Sequence, residues 1–339
     1  MRRLKRYICL VGLLALLAAA LTGCGFSDDS VEELFTLPRM AEEYTGLTQE
    51  LEALITQGYE YASPTGGRNI QSVQMADLDG DGQQEALAFF RMSSDEKPLK
   101  IFVFKIEGDS YARYCTIESS GTAIDSVYYQ DLNGDGRREL IVGWRISAEV
   151  QTVAVYTVAR EPVALMSSGY TRFTIQDLNG DGIPSLLVLR TDADSQPVAE
   201  FYGWQDEQMG VAYRCVLSST MASVNRGSLV SGRLDADTPA LYITGVDEQG
   251  MAATDILVFR QDLGLVNLAL SGSSTGVSNA VFPYRQLLPQ DINGDGIIEL
   301  PSPDTSWTAE QTDGLVSWLC CDGDGQLSTV AKTYHSLSC

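Results

Sequence analysis

Along most of this chain, apolar and polar residues alternate in short bursts separated by stretches rich in aspartate, asparagine and glycine. "IQSVQMADL" (70–78), "IDSVYYQDL" (124–132) and "RFTIQDL" (172–178) carry the period of two expected of half-buried strands. After each comes a nearly continuous apolar run: "EALAFF" (85–90), "ELIVGW" (139–144) and "SLLVLR" (185–190). These runs are too short for helices and rich in β-formers, so they predict strands buried on both faces. Two further strands joined by a turn complete each unit, as in "KIFVFKIEGDSYARYCTI" (100–117). Residues 26–68 differ. There Leu47, Leu51, Leu54 and Ile55 recur at helical spacing, with Gly58 as the stop and a Pro/Gly linker after it.

The polar stretches repeat one phrase: "DLDGDGQQEA" from Asp77, "DLNGDGRREL" from Asp131, "DLNGDGIPSL" from Asp177 and "DINGDGIIEL" from Asp291. The shared pattern is D-x-[DN]-x-D-G-x-x-E. Side-chain oxygens at places 1, 3, 5 and 9, with a backbone carbonyl at 7, wrap a hard cation in one tight loop. Calcium suits this best because it accepts many oxygens at flexible angles. Loop A offers Asp77, Asp79, Asp81, Glu85 and the Gln83 carbonyl; loop B offers Asp131, Asn133, Asp135, Glu139 and the Arg137 carbonyl. Loop C offers Asp177, Asn179, Asp181 and the Ile183 carbonyl, with Ser185 where a glutamate belongs. Loop D offers Asp291, Asn293, Asp295, Glu299 and the Ile297 carbonyl. Counting carboxylates ranks affinity as A, then B and D, then C. An EF-hand begins the same way but needs a glutamate at place 12 and a helix afterwards. Place 12 here is Ala88, Val142, Val188 or Ser302, and a strand follows. The plain alternative is a metal-free Asx/Gly turn.

The first aspartates lie 54, 46 and 114 residues apart, and the last gap holds a worn copy, "SGRLDADTPALYITG", with Gly232 at place 1. That makes five units. Four antiparallel strands recurring every ~40–50 residues predict an all-β fold, a β-propeller-like array of about five four-stranded blades with calcium loops, preceded by a short helical segment. The phrase "DLNGDGxxEL" resembles the FG-GAP and VCBS repeats of integrin-α-like propellers, over about residues 69–339. The resemblance implies calcium at places 1, 3, 5, 7 and 9. The expected organisation is 1–23 a signal peptide, 24–68 a tether with helix and linker, and repeats at 69–120, 124–168, 171–221, 226–274 and 283–339. Asp322 and Asp324 fall in the outer hairpin of the last repeat and read as a turn rather than a metal loop.

At the amino end, Arg2, Arg3, Lys5 and Arg6 precede an apolar run from Tyr7 to Leu21, the build of a secretory signal. The run ends in "LTGC", which resembles the bacterial lipobox. The resemblance implies cleavage before Cys24 and a lipid on its sulfur, hence a lipid-anchored protein on the extracytoplasmic face of the cell membrane. Removing 1–23 leaves 19 cations against 45 acids, a formal charge of −26 where the whole chain has −22. Such a balance excludes nucleic acid as a partner. With 44% hydrophobic residues the chain can still build a substantial core.

Cys115 and Cys215 sit at matching places in two repeats and read as buried small hydrophobes, whereas Cys320 or Cys321 can bridge to Cys339. The single histidine, His335, has no nucleophile motif around it, and no G-x-S-x-G, H-E-x-x-H or phosphate loop occurs. No enzyme is expected. Trp144, Trp204 and Trp318 fall inside strands and read as core; Trp307, in a polar loop, is the candidate for stacking on a sugar. The expected role is a surface-anchored, non-catalytic, calcium-binding module for a glycan or a protein. The alternatives are an envelope scaffold or assembly lipoprotein, or a carbohydrate-active enzyme.

Overall fold

The computed structural model describes residues 42–205, 207–250, 252–268, 288–303 and 313–336. The signal segment, Cys24, Trp307 and Cys339 lie outside these residues. The chain divides into two compact units, Met1–Thr45 and Gly46–Cys339. Only the opening turn of one helix, α1 (Glu42–Thr56), represents the first unit among the described residues. That helix stops just before Gly58, whose φ of +97° breaks the helical path. Leu47 and Leu54, two turns apart, are buried, whereas Ile55 is 48% exposed. The expected apolar stripe is therefore narrower than its spacing suggested. A rotation of about 100° per residue carries Ile55 off the face that Leu54 buries.

The second unit is dominated by five small antiparallel sheets, meanders of consecutive strands except that both β1 and β2 of the first sheet pair with β3. The first contains β1 (Glu60–Tyr61), β2 (Val73–Ala76), β3 (Glu85–Arg91), β4 (Leu99–Glu107) and β5 (Ser110–Ser119). Part of the expected linker is thus sheet: β1 pairs with β3, and Tyr61 stacks on Phe90 at 4.5 Å. The second sheet is β6 (Ala123–Gln130), β7 (Glu139–Arg145), β8 (Gln151–Tyr156) and β9 (Ala164–Gly169). The third is β10 (Arg172–Gln176), β11 (Ser185–Thr191), β12 (Pro197–Gln205) and β13 (Gln208–Val216). A one-turn helix, α2 (Met221–Val224), leads to the fourth: β14 (Leu229–Arg233), β15 (Pro239–Val246), β16 (Ala252–Arg260) and β17 (Gly264–Asn267). The fifth has three strands, β18 (Leu300–Pro303), β19 (Asp313–Cys321) and β20 (Leu327–Ser336). Among the described residues, its expected opening strand amounts to a single bridge between Gln290 and Glu299.

The core lies between successive sheets. Side chains alternate faces along a strand, so a central strand feeds two cores. In β7, Leu140, Val142 and Trp144 join Leu87 and Phe89 of the first sheet, while Ile141 points the other way to Leu186 and Val188 of the third. Leu187 and Leu189 then meet Leu241 and Ile243 of the fourth sheet, and Ala240 and Tyr242 meet Ile298, Leu300 and Cys321 of the last segment. This double use explains why these runs are apolar at every position. Full burial of each such side chain contributes about 1.5–3 kcal/mol.

The worn copy departs from its expected alignment. Gly232 lies within β14, paired with Ala240, and the connection between them is one residue shorter than that between the paired Ala76 and Glu85. The turn closes on itself instead. Asp235 accepts hydrogen bonds from the Asp237 and Thr238 amides and the Thr238 hydroxyl, and the Arg233 guanidinium donates to the Ala236 carbonyl. The Asp322 segment is the β19–β20 turn, where Asp322 Oδ1 accepts from the Asp324 and Gln326 amides at 3.0 and 2.7 Å.

Candidate metal centres

Each of loops A to D connects the first strand position of a sheet to its central strand, and their backbones are near copies. The first aspartate is the hub. In loop B, Asp131 Oδ1 accepts from the Asn133 and Gly134 amides at 3.2 and 2.6 Å, and Oδ2 accepts from Gly136 at 2.9 Å. Asp77, Asp177 and Asp291 hold the matching glycine amides at 2.6–3.1 Å. Place 5 repeats the theme, with Asp81, Asp135, Asp181 and Asp295 each accepting from the amide two residues on, at 2.7–2.8 Å. These bonds require left-handed backbone at places 4 and 6; Gly134 and Gly136 have φ of +74° and +85°. Glycine adopts that conformation without steric cost.

Place 9 opens the strand after the loop in Glu85 and Glu139 and immediately precedes it in Glu299, and the side chain is buried in all three: 2%, 4% and 0% exposed. Each reaches back to the place-2 amide, on Leu78, Leu132 and Ile292, at 2.7–3.0 Å. The second carboxylate oxygen faces the loop: Glu299 Oε1 accepts from the Asn293 side-chain amide at 3.3 Å, and Glu85 Oε1 lies 3.4 Å from the Lys105 ammonium. Burial pushes Glu139 up to about 7, with Asp135 and Asp131 adding to the rise against the pull of the Leu132 amide. Among the described residues, none of Asp131, Asp135, Glu139, Asp291, Asp295 and Glu299 has a cationic side chain within ion-pair distance. In loop C, Ser185 cannot play the glutamate's part, and Asn179 Oδ1 is a buried oxygen without a hydrogen-bond partner. The donors are all hard oxygens, and in loop C an unpartnered buried acceptor at place 3 is what a loop shaped around a cation would leave, whereas in loops B and D the Asn133 and Asn293 oxygens accept from the Asp135 and Asp295 amides at 2.9 Å. These residues therefore fit calcium.

Loop A differs. Asp77, Asp79 and Glu85 bring three ligand oxygens within 4.8 Å of one another. Lys105 on β4 enters that cluster, its ammonium bonding Asp79 and lying 3.4 Å from Glu85 Oε1. The hydrogen bond from Lys105 holds Asp79 below the ordinary carboxylate range, whereas burial raises Glu85. Burial pulls the ammonium down, but Asp79 and Glu85 outweigh it and hold it above its ordinary value. The loops also pack on one another. Arg138 N donates to Leu78 O at 2.7 Å, linking B to A, and a Cβ on Gly80 would sit 2.6 Å from the Gly136 carbonyl.

Beside loops A and B lies a cleft of about 630 Å³, lined among others by Asp79, Asn133, Glu139, Thr157, Trp204 and Gln208. Trp204, expected in the core, is only half-buried, and its indole N–H donates to the Leu132 carbonyl at 2.8 Å. Trp144 and Trp318 are core residues as expected. Nothing local in the sequence marks Trp204 for the cleft, because most of its neighbours there, such as Asn133, Glu139 and Thr157, come from other repeats. Cys115 is buried and Cys215 half-buried, and burial pushes both thiols up to about 12. His335 lies in β20, paired with Gly314.

No family model matches this chain, and no curated protein matches it. The solved structures similar to it include two of weak likeness. A hypothetical protein from Leishmania major is 11% identical, covers 83% of this chain and 97% of its own, and has a TM-score of 0.27. A GH62 hydrolase in complex with xylotriose is 10% identical, covers 78% and 90%, and has a TM-score of 0.26. Neither likeness carries an argument about this chain's architecture or chemistry.

Proposed function

We propose that this chain is a calcium-stapled, propeller-like binding module, exported, lipidated at Cys24 and held on the extracytoplasmic face of the cell membrane. The observation that carries the calcium reading is the state of loops B and D. Each gathers three carboxylates, one of them buried, and among the described residues none of these carboxylates is in an ion pair. A divalent ion there would offset the cost of burying Glu139 and Glu299. Calcium would bind through the loop aspartates and glutamates and supply only charge and geometry, joining the first strand position of a sheet to its centre.

The ligand of the module is a glycan or a protein, and the cleft beside Trp204 is where we seek it. A half-buried indole next to hydroxyl, amide and carboxylate groups suits a polyhydroxylated ring. The support for export and lipidation is the amino-terminal pattern of cations, apolar run and "LTGC". Calorimetric titration with calcium, with thermal melts in calcium and in chelator, tests the central claim. Binding of about two or three ions with a higher melting temperature supports it. No heat and no shift would reduce the four phrases to turns. Fatty-acid labelling that disappears in Cys24→Ser tests the anchor.

A further inference from the structure

In each of the four sheets that carry a metal loop, the strand that follows and pairs with the post-loop strand carries a residue one step beyond the partner of place 10, and that residue faces the place-9 side chain. The pairs Ala86–Phe104, Leu140–Tyr156, Leu186–Tyr202 and Leu300–Leu319 fix these residues as Lys105, Thr157, Gly203 and Cys320. The side-chain contacts agree: Lys105 meets Glu85, and Cys320 Sγ lies 3.9 Å from Glu299 Oε1. Loop A is also the one copy with a carboxylate at place 3, where the other three carry asparagine. The extra acid, Asp79, and the one cation at the facing position, Lys105, are bonded to each other. Within a single chain, the added negative charge and the added positive charge occur together and in contact.

We infer that the Lys105 ammonium is the resident cation of loop A, closing it without metal, and that the strong divalent sites of the chain are loops B and D. The ordering from carboxylate count, with loop A first, is thereby reversed. A lysine held against Asp79 and Glu85 occupies two of the oxygens a divalent ion needs, and its charge repels the ion. The ring of Tyr114, 4.8 Å from Lys105 Nζ, gives the ammonium a third favourable contact, so it has little reason to swing away. Asp79 and Glu85 are the places 3 and 9 of the metal pattern, so the metal half of this inference rests on the calcium reading. The internal-cation half does not.

Two readouts test the two halves on the whole protein. In calcium calorimetry, Lys105→Gln should gain one site over wild type, because a unit charge within 4–6 Å shifts ion affinity by roughly ten- to a thousandfold. Asp79→Asn/Lys105→Gln, whose loop then carries the ligand set of loop B, should gain it as well. Lys105→Arg, which keeps the charge, should not. In chelator, Lys105→Gln should melt below wild type and the double variant should recover most of the loss. If wild type and Lys105→Gln bind the same number of ions with the same affinities, and melt alike in chelator, the inference is overturned. If no variant binds calcium but the chelator melts follow the stated order, the calcium reading fails while Lys105 stands as the cation of loop A. Should Lys105→Gln fail to fold, recovery of folding by the added Asp79→Asn supports the pairing, and failure of both overturns it.

Discussion

Replacing Asp131 by alanine separates what loop B contributes by itself from what a bound ion adds. The Asp131 carboxylate accepts three backbone hydrogen bonds, from Asn133 at 3.2 Å, Gly134 at 2.6 Å and Gly136 at 2.9 Å. The two glycine amides are at the exposed surface, so water can replace the lost acceptor. The low end of the range for a hydrogen bond, about 0.5 kcal/mol each, then applies, giving a loss of about 1.5 kcal/mol in chelator. With calcium at a hundredfold over its dissociation constant, the wild-type loop gains a further ~2.7 kcal/mol that the variant cannot. The expected loss is therefore about 1.5 kcal/mol in chelator and about 4 kcal/mol in calcium, read from urea unfolding in both buffers. Asp131→Asn keeps a hydrogen-bond acceptor, so its loss in chelator should be under about 1 kcal/mol. Equal losses for Asp131→Ala in the two buffers would refute calcium at this loop, and no loss in chelator would refute the hub role of the carboxylate.

Other consequences are as direct. Gly80→Ala should destabilise by about 1–3 kcal/mol in thermal melts, because its φ is +76° and the new Cβ would meet the Gly136 carbonyl at 2.6 Å; a neutral outcome would mean loops A and B separate freely. Glu139 binds its proton up to about 7 in the fold but near its ordinary 4.5 when unfolded. Across that window the folded state holds more protons, so chelated protein should gain stability as pH falls from about 7 towards 4.5 and lose it as pH rises again. Glu139→Gln should flatten that slope in denaturant titrations run across the window, and an unchanged slope would show that the proton goes elsewhere. Burial pushes the Cys115, Cys215 and Cys321 thiols up to about 12, so native protein should resist alkylation at these residues and label fully in denaturant, as read by mass spectrometry. Trp204→Phe should cost about 1 kcal/mol through loss of the bond to the Leu132 carbonyl, and Trp204→Ala should also weaken any glycan binding seen on an array.

Much of the metal-loop geometry was legible because it is local. The aspartate–amide bonds that shape loop B, from the Gly136 amide to Asp131 and from the Arg137 amide to Asp135, close within nine residues, and the glycines that permit them sit at fixed offsets. The strand after each loop was legible too. A run apolar at every position, such as Leu140 to Val142, can only be a segment with a core on each side. The four-strand period predicted five sheets, and five sheets form.

What the sequence did not determine are the contacts made across strands and between repeats. Lys105 reaches Asp79 from 26 residues away, and only the β3–β4 register brings it opposite Glu85. Trp204 meets the Leu132 carbonyl across 72 residues, which turns an apparent core tryptophan into the wall of a cleft. Ile55 fits the helical spacing yet stays exposed, because its neighbour Leu54 takes the buried face. A nine-residue hydrogen-bonded loop carries its own instructions. The charge that stands opposite its buried carboxylate comes from another strand, and pairing of the strands, not the spelling of the loop, decides which cation each loop meets.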